Sequence, residues 1–344
     1  MTSHERTGQA EPPDLDVVLT SRARIARNLS GLPFVHRATA DQRQSVISRV
    51  QLALEPECCS ETTTWVDLES VSPLQRRVLY ERHLISRQHA DQQGPRGVAV
   101  AQDESMSVMV NEEDHVRMHA LSPGLQPHAC FERVLAMDKA AEGAVEWAFH
   151  ERWGYQTACP TNAGTGVRFS AMLHLPALRL TRELEKVRHA AKDLQLAVRG
   201  YYGEGSESSG HFYQVSNQIT LGCTEEELLD RFMSTIVPGI VEYERSARQA
   251  LLRRDRLALE DRVHRDLAIL RSARVMKVDE AMRRLSTVRL GVCLELIPNV
   301  ALDCINGLFQ MIQSGHLQQQ AGKSLSPPES QAARAELLRQ RLSG

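Results

Sequence analysis

Lysine is scarce in this sequence, its cysteines follow no pattern and no long hydrophobic run occurs. Each shortage narrows what the chain can be. The 41 basic residues, mostly arginine, face 43 acidic ones, for a formal net charge of −2. That balance excludes the broad positive field of a nucleic-acid binder, while leaving room for a local basic pocket. For the arginine bias a GC-rich genome is the simpler source. The seven cysteines are odd in number. Cys58 and Cys59 are adjacent and the others scattered, so neither a disulfide framework nor a zinc site follows, and a reducing, cytoplasmic compartment fits. Met1 to Asp14 is polar, carries Pro12-Pro13 and has no apolar segment, so no secretory signal is expected. No run approaches the length of a membrane span, and there is no internal repeat.

What is present suits a globular protein. With 344 residues, 42% of them hydrophobic, the chain can build one large domain and a smaller one. Residues 1–14 read as a disordered tail. Val17-Val18-Leu19 leads into Ser21-Arg22-Ala23-Arg24-Ile25-Ala26-Arg27-Asn28. Apolar spacing predicts helices over 40–55 and 73–85, then a polar loop from His89 to Pro95. Gly97–Ala101 and Ser107–Val110 read as strands joined by a turn at Asp103-Glu104-Ser105. Phe131–Phe149 is helical in pattern, and Cys159–Gly166 is a Gly/Thr-rich loop. Ser170–Leu175, Ala197–Tyr202 and Tyr213–Leu221 read as strands, with a glycine- and serine-rich loop at Gly203–Gly210. Past Thr224 the pattern turns helical: Glu225–Leu270, Asp279–Ile297, Val300–Ile312, and a last helix from Ser326-Pro327-Pro328 to Leu342. The expected division is a tail (1–14), an α/β part (15–245) and an all-helical part (246–344).

Four motifs carry unusual residue choices. In Thr20-Ser21-Arg22-Ala23-Arg24, alternate arginines on a strand share one face and repel unless an anion lies between them. Taken alone, the motif is as readily a solvated surface strand. Glu112-Glu113-Asp114 crowds three carboxylates after the apolar run Ser107–Val110, with Arg117 close behind. Like charges repel, so such a cluster suits a site that holds a cation and takes a proton from it. Cys159–Arg168 has glycines that allow close backbone approach, but no Gly-Lys-Ser/Thr, so it is not a Walker A loop. Arg199-Gly200-Tyr201-Tyr202-Gly203-Glu204 puts an arginine and an acid at a flexible loop. Arg22, Arg24, Arg117, Arg168 and Arg199 would together suit a triphosphate, since guanidinium binds phosphate oxygens bidentately.

These phrases, with Ser216–Gly222 and Val288–Val292, resemble those of the phosphagen kinase superfamily, the ATP:guanido phosphotransferases. The likeness runs over about residues 16–315 and is greatest to the bacterial protein arginine kinases. It implies an α+β catalytic domain with a large, mainly antiparallel sheet flanked by helices, followed by an all-helical domain for dimerisation and substrate docking. It also implies that the five arginines hold the ATP phosphates. Thr20, Ser21, Arg22, Ala23 and Arg24 would shape the nucleotide site with Arg168, Phe169, Ser170, Ala171 and Met172. Arg199, Gly200, Tyr201, Tyr202, Gly203 and Glu204 would complete it. His83 matches the histidine that packs on the nucleoside, Glu113 and Glu204 the acids that grip the substrate guanidinium, and Cys159 the reactive cysteine beside it. Alone, His83 would read as a surface or core histidine and Cys159 as a small buried residue. Magnesium would be held through phosphates and water, without a metal site of the protein's own.

In small-molecule phosphagen kinases an N-terminal helical domain precedes the Ser-x-Arg-x-Arg motif. Here that motif starts at Ser21, so an arginine still within a polypeptide is the expected substrate. The resemblance further implies a homodimer, a zinc-binding activator and a Clp-type ATPase as partners, with marking for degradation or stress regulation as the role. No nucleic acid or membrane is expected. Where these kinases carry Arg-Asp-x-x-Arg-Ala for phosphoarginine, this chain reads Ser330-Gln331-Ala332-Ala333-Arg334-Ala335, so weak or absent activation by phosphoarginine is expected. The alternatives are a kinase for a free guanidino compound and a catalytically inactive adaptor that binds ATP or phosphoarginine.

Overall fold

The computed structural model describes residues 11–54, 62–201 and 209–343. Its elements run β1 (Val18–Arg27), α1 (Ala40–Ala53), β2 (Thr63–Asp67), α2 (Pro73–Glu81), α3 (Arg87–Asp91), β3 (Gly97–Ala101), β4 (Met106–Val110) and β5 (Val116–Pro123). Then come α4 (Pro127–Glu142), β6 (Phe149–His150), β7 (Gly154–Tyr155), β8 (Val167–His174), α5 (Pro176–Leu180), α6 (Leu184–Asp193), β9 (Leu196–Arg199) and β10 (Phe212–Asn217). Helices complete the chain: α7 (Glu225–Arg231), α8 (Val237–Ser272), α9 (Val278–Cys293), α10 (Leu302–Met311), α11 (Ser314–Ala321) and α12 (Pro327–Leu342).

Eight strands form one antiparallel sheet in the order β2-β3-β4-β5-β1-β8-β10-β9, so β1 lies between β5 and β8. The α+β class and large antiparallel sheet expected from the sequence are what the chain adopts. Strand alternation gives the sheet two unlike faces. On one, Ala23, Ile25, Met118, Ala120, Phe169, Ala171 and Val215 are buried in the main core, under α4 with its Phe131, Val134 and Met137. The other face carries the arginines.

A second core lies among α8, α9, α10 and α12, and takes in Met172, Tyr201 and Phe212 from the sheet region. Helix α8 supplies both cores, Val237, Val241 and Ala247 to the first and Leu259, Val263, Leu267 and Leu270 to the second. Between them the helix breaks at Asp255 (φ −161°, ψ 80°), whose carboxylate accepts from the Ala258 N–H at 3.0 Å. The boundary expected at 245 therefore falls inside a helical stretch, and the packing changes around Asp255 instead.

Other expectations need local correction. The end of the expected tail 1–14 is fixed: Leu125 N–H donates to the Pro13 carbonyl at 2.8 Å, and Asp14 pairs with Arg245 at 2.8 Å. The helix expected over 73–85 stops at Glu81, because His83 takes a left-handed φ of 59°. The expected loop His89–Pro95 begins inside α3, and the helix expected over Phe131–Phe149 starts at Pro127 and ends at Glu142. Strand β10 stops at Asn217, where the side chain turns back to accept from Phe169 N–H at 2.8 Å. Helix α11 was not expected; it is short and polar, with only Gly315 and Leu317 buried.

Candidate active site

Register places the arginines. Arg24 lies opposite Arg168 on β8 and His119 on β5, Arg22 lies opposite Ser170, and Arg117 lies opposite Ala26. Facing pairs in an antiparallel ladder share a face, so Arg22, Arg24, Arg117 and Arg168 belong to one surface. Through Met172, Gln214 and Arg199 the ladder carries the same face on to β9. All five arginines singled out in the sequence thus fall on one side of one sheet.

The charge there is only partly compensated. Burial, then the neighbouring Arg117 and Arg168, push Arg24 down to about 9, and burial pushes Arg22 down to about 10. Arg22 Nη2 donates to the His83 carbonyl at 3.5 Å, but its buried Nε has no hydrogen-bond partner. His83 stands edge-on to Tyr201, with ring centroids 5.2 Å apart. Burial and Arg22 hold its imidazole neutral, pushed down to about 3. A cluster of half-buried guanidiniums with one buried, orphaned donor, Arg22 Nε, suits an anion.

Arg117 differs from the others. Its guanidinium pairs with Glu112 and Glu113, and bonds Asp114 through Nη2 at 3.0 Å and Nε at 3.2 Å. Burial alone would lower it, but Glu112, Asp114 and Glu113 outweigh burial and hold it above its ordinary value. The cation that the acidic run holds here is thus the chain's own Arg117. The three acids are not equivalent: the side chains of Glu112 and Asp114 are 2% and 0% exposed, whereas that of Glu113 is 35% exposed. Only Glu113 has an oxygen to offer an incoming ligand. Glu112 also accepts from Ser86 Oγ at 2.5 Å.

Asp114 ties this cluster to the Cys159 loop. Its carboxylate accepts from Ala158 N–H at 2.7 Å and from Asn28 Nδ2 at 2.9 Å. Cys159 is half-buried, its Sγ 3.0 Å from Thr161 Oγ1, and a tight turn follows at Pro160–Asn162. Gly164 closes the loop with φ +102°, and a Cβ there would sit 2.4 Å from the Thr220 carbonyl oxygen. Below the loop, Arg27 pairs with Asp138 at 2.6 Å and donates to the Thr165 carbonyl at 2.9 Å.

Several residues assigned from the sequence do not line the arginine face. Ser21, Ala23, Phe169 and Ala171 alternate to the opposite side: Ser21 Oγ donates to the Gly124 carbonyl at 2.8 Å, and Phe169 packs on Phe131 with centroids 5.3 Å apart. They support the site from behind. Thr20, Ser170 and Met172 share the arginine face, Gly200 is buried, and Tyr201 is buried against the second core. Tyr202, Gly203 and Glu204 lie outside the described residues. Three contributors were missed. Asn28 and Asp114 stand within the singled-out phrases, and His119 follows Arg117 at strand spacing. Burial, then Arg22 and Arg24, hold His119 neutral, and its Nε2 lies 3.1 Å from Ser107 Oγ. Among the described residues no group of three or more His, Cys, Asp or Glu side chains could hold a metal ion.

Two family models match the chain. ATP:guanido phosphotransferase, C-terminal catalytic domain, covers residues 45–247, and protein-arginine kinase McsB C-terminal domain covers residues 256–344. The protein-arginine kinase of Halothermothrix orenii is 42% identical over 99% of this chain and 96% of its own length. That of Brevibacillus brevis is 42% identical over 97% and 94%. Among solved structures, the duplicated taurocyamine kinase from Schistosoma mansoni with bound transition state analog components superposes with a TM-score of 0.62. It is 25% identical, over 71% of this chain and 35% of that one. Lombricine kinase superposes with a TM-score of 0.59 at 25% identity, over 70% of this chain and 73% of that one.

Proposed function

Because the chain belongs to the ATP:guanido phosphotransferase family, and within it to the protein-arginine kinases, we propose that its arginine face binds ATP and passes the γ-phosphoryl group to arginine side chains of proteins. The observation that carries this is the pairing of Arg24 with Arg168 beside Arg22 and its orphaned Nε. A triphosphate would fill that place and lift the mutual repulsion.

A guanidinium is a poor nucleophile, protonated at any ordinary pH and with delocalised lone pairs. Glu113, the one solvent-reaching acid of its run, would orient the substrate guanidinium and accept its proton, with Glu204 as the second acid. Arg117 fixes where Glu113 stands, and Asp114 fixes Cys159 relative to both. Arg22, Arg24, Arg168 and Arg199 would hold the phosphates, and His83 with Tyr201 would flank the nucleoside. Magnesium would arrive on the nucleotide and neutralise phosphate charge, since Glu112 and Asp114 are engaged by Arg117. A cytoplasmic homodimer that works with a zinc-binding activator and a Clp-type ATPase goes with this reading. Among the described residues no helix is long and apolar enough to cross a membrane.

The test is a phosphotransfer assay with Mg-ATP and either an unfolded arginine-rich protein or free arginine, scored as acid-labile phosphoarginine by mass spectrometry. Label on the protein alone is expected. Label on free arginine alone would move the chain to the small-molecule kinases, and ATP binding without label on either would favour the adaptor or a missing activator, which adding the activator would separate.

A further inference from the structure

Glu81 closes α2 two residues before His83. It is 4% exposed. Its carboxylate accepts from Gly315 N–H at 2.8 Å, His316 N–H at 3.1 Å, His316 Nδ1 at 2.9 Å and Arg77 Nε at 3.0 Å. Three of these four donors belong to the first turn of α11, in the C-terminal helical region. A carboxylate there satisfies amides that the helix itself leaves unpaired. The contact is fitted to glycine: a Cβ on Gly315 would lie 2.7 Å from Glu81 Oε2 and 3.0 Å from its Cδ, and would push the carboxylate out of place. Burial would raise the Glu81 carboxyl, but its bonds to His316, Gly315 and Arg77 outweigh burial and hold it below the usual carboxylate range.

The next two residues carry this clasp to the arginine face. Arg82 pairs with Glu104 at 2.5 Å, and its Nε lies 3.4 Å from His316 Nε2. His83 then caps the helix in a left-handed turn, with His83 N–H bonded to the Tyr80 carbonyl at 2.9 Å and Leu84 N–H to the Leu79 carbonyl at 3.0 Å. That turn makes the end of α2 and His83 one rigid piece, and the His83 carbonyl receives Arg22.

We propose that Glu81 is a positioning residue for the nucleotide: by clasping the start of α11 it fixes the end of α2, and with it His83 and Arg22, so the C-terminal helical region sets the affinity for ATP. The inference rests on the assignment of His83 and Arg22 to the nucleotide. Linkage makes the effect reciprocal, so bound nucleotide tightens the clasp.

Glu81→Ala, Gly315→Ala and His316→Ala in the full chain test it. The first two should raise KM for ATP about tenfold and His316→Ala about threefold, with kcat and KM for the arginine substrate within about twofold of wild type. Glu81→Gln keeps an acceptor oxygen and should recover most of the ATP affinity. Amide hydrogen exchange across 314–321 should slow when Mg-ATP binds, and this response should vanish in Glu81→Ala. Should Glu81→Ala fail to fold, His316→Ala and the wild-type exchange response still decide. An unchanged KM for ATP in Gly315→Ala and His316→Ala, or exchange at α11 indifferent to ATP, overturns the proposal. A wild-type chain that binds no ATP removes the nucleotide assignment and this inference with it, whereas ATP binding with unaltered variants removes this inference alone.

Discussion

Arg117 shows how one residue type takes opposite roles on one face. Arg24 has Arg117, Arg168 and Arg22 as neighbours and Arg22 keeps an unpaired Nε, while Arg117 is surrounded by carboxylates of its own chain. The three acids should therefore respond differently to substitution. Glu113→Gln should cut turnover about a hundredfold or more, as expected for losing a proton acceptor, with ATP affinity nearly unchanged. Steady-state kinetics beside nucleotide titration would read both, and near-wild-type turnover would remove Glu113 from the chemistry. Asp114→Asn should instead act on stability, because it weakens the compensation of a buried guanidinium and the tie to Ala158. A loss of about 3 kcal/mol in urea unfolding is expected, the scale of a broken buried ion pair. Arg168→Ala should weaken nucleotide binding together with turnover.

At the scale of elements, the break in α8 makes a sharp case. Asp255 acts as the N-cap of the second half of the helix through its bond to Ala258 N–H. Asp255→Ala should cost about 1 kcal/mol, read from the urea midpoint, and a cost near zero would mean that the break is held by packing alone. Strand β1 was legible in the sequence, because alternation of Arg22 and Arg24 with Ala23 and Ile25 fits a sheet with one apolar face. The end of α2 was not legible, since a left-handed histidine leaves no mark in apolar spacing. Nor was α11, where polar residues give almost no periodicity. The site was half legible: residue types announced the chemistry. Only the fold could show that Ser21 and Phe169 turn away, or that all three adjacent acids pair with Arg117 while only Glu113 among them reaches solvent.

The whole molecule buries many neutral histidines. Burial comes first as cause in each: His89 and His211 are pushed down to about 4 and His83 to about 3, with His115, His119 and His174 also lowered. A histidine whose folded value lies below its unfolded one, near 6.5, binds its proton more readily when unfolded. Stability is then full above about pH 6.5 and falls as pH drops toward 4, by up to about 1.4 kcal/mol per pH unit for each histidine. Asp138 and Glu244, raised by burial, oppose this but are fewer. Urea midpoints at pH 7.5 and 5.5 should differ clearly, and equal midpoints would contradict the burial seen here. Phosphoarginine should leave the rate within about twofold of basal, because buried Arg334 already donates to the Ile312 carbonyl at 2.8 Å and the Met276 carbonyl at 3.0 Å. A phosphoarginine-dependent rise abolished by Arg334→Ala would refute that.

The seam between the two cores also bears on how the molecule can be rebuilt. Phe212 of β10 meets Phe309 of α10 with ring centroids 4.8 Å apart, and Met172 and Tyr201 join the same cluster. The helical part is thus no interchangeable cassette. A chimera that joined residues 256–344 to a foreign sheet would have to bring Met172, Tyr201 and Phe212 along, or leave Phe309 facing water.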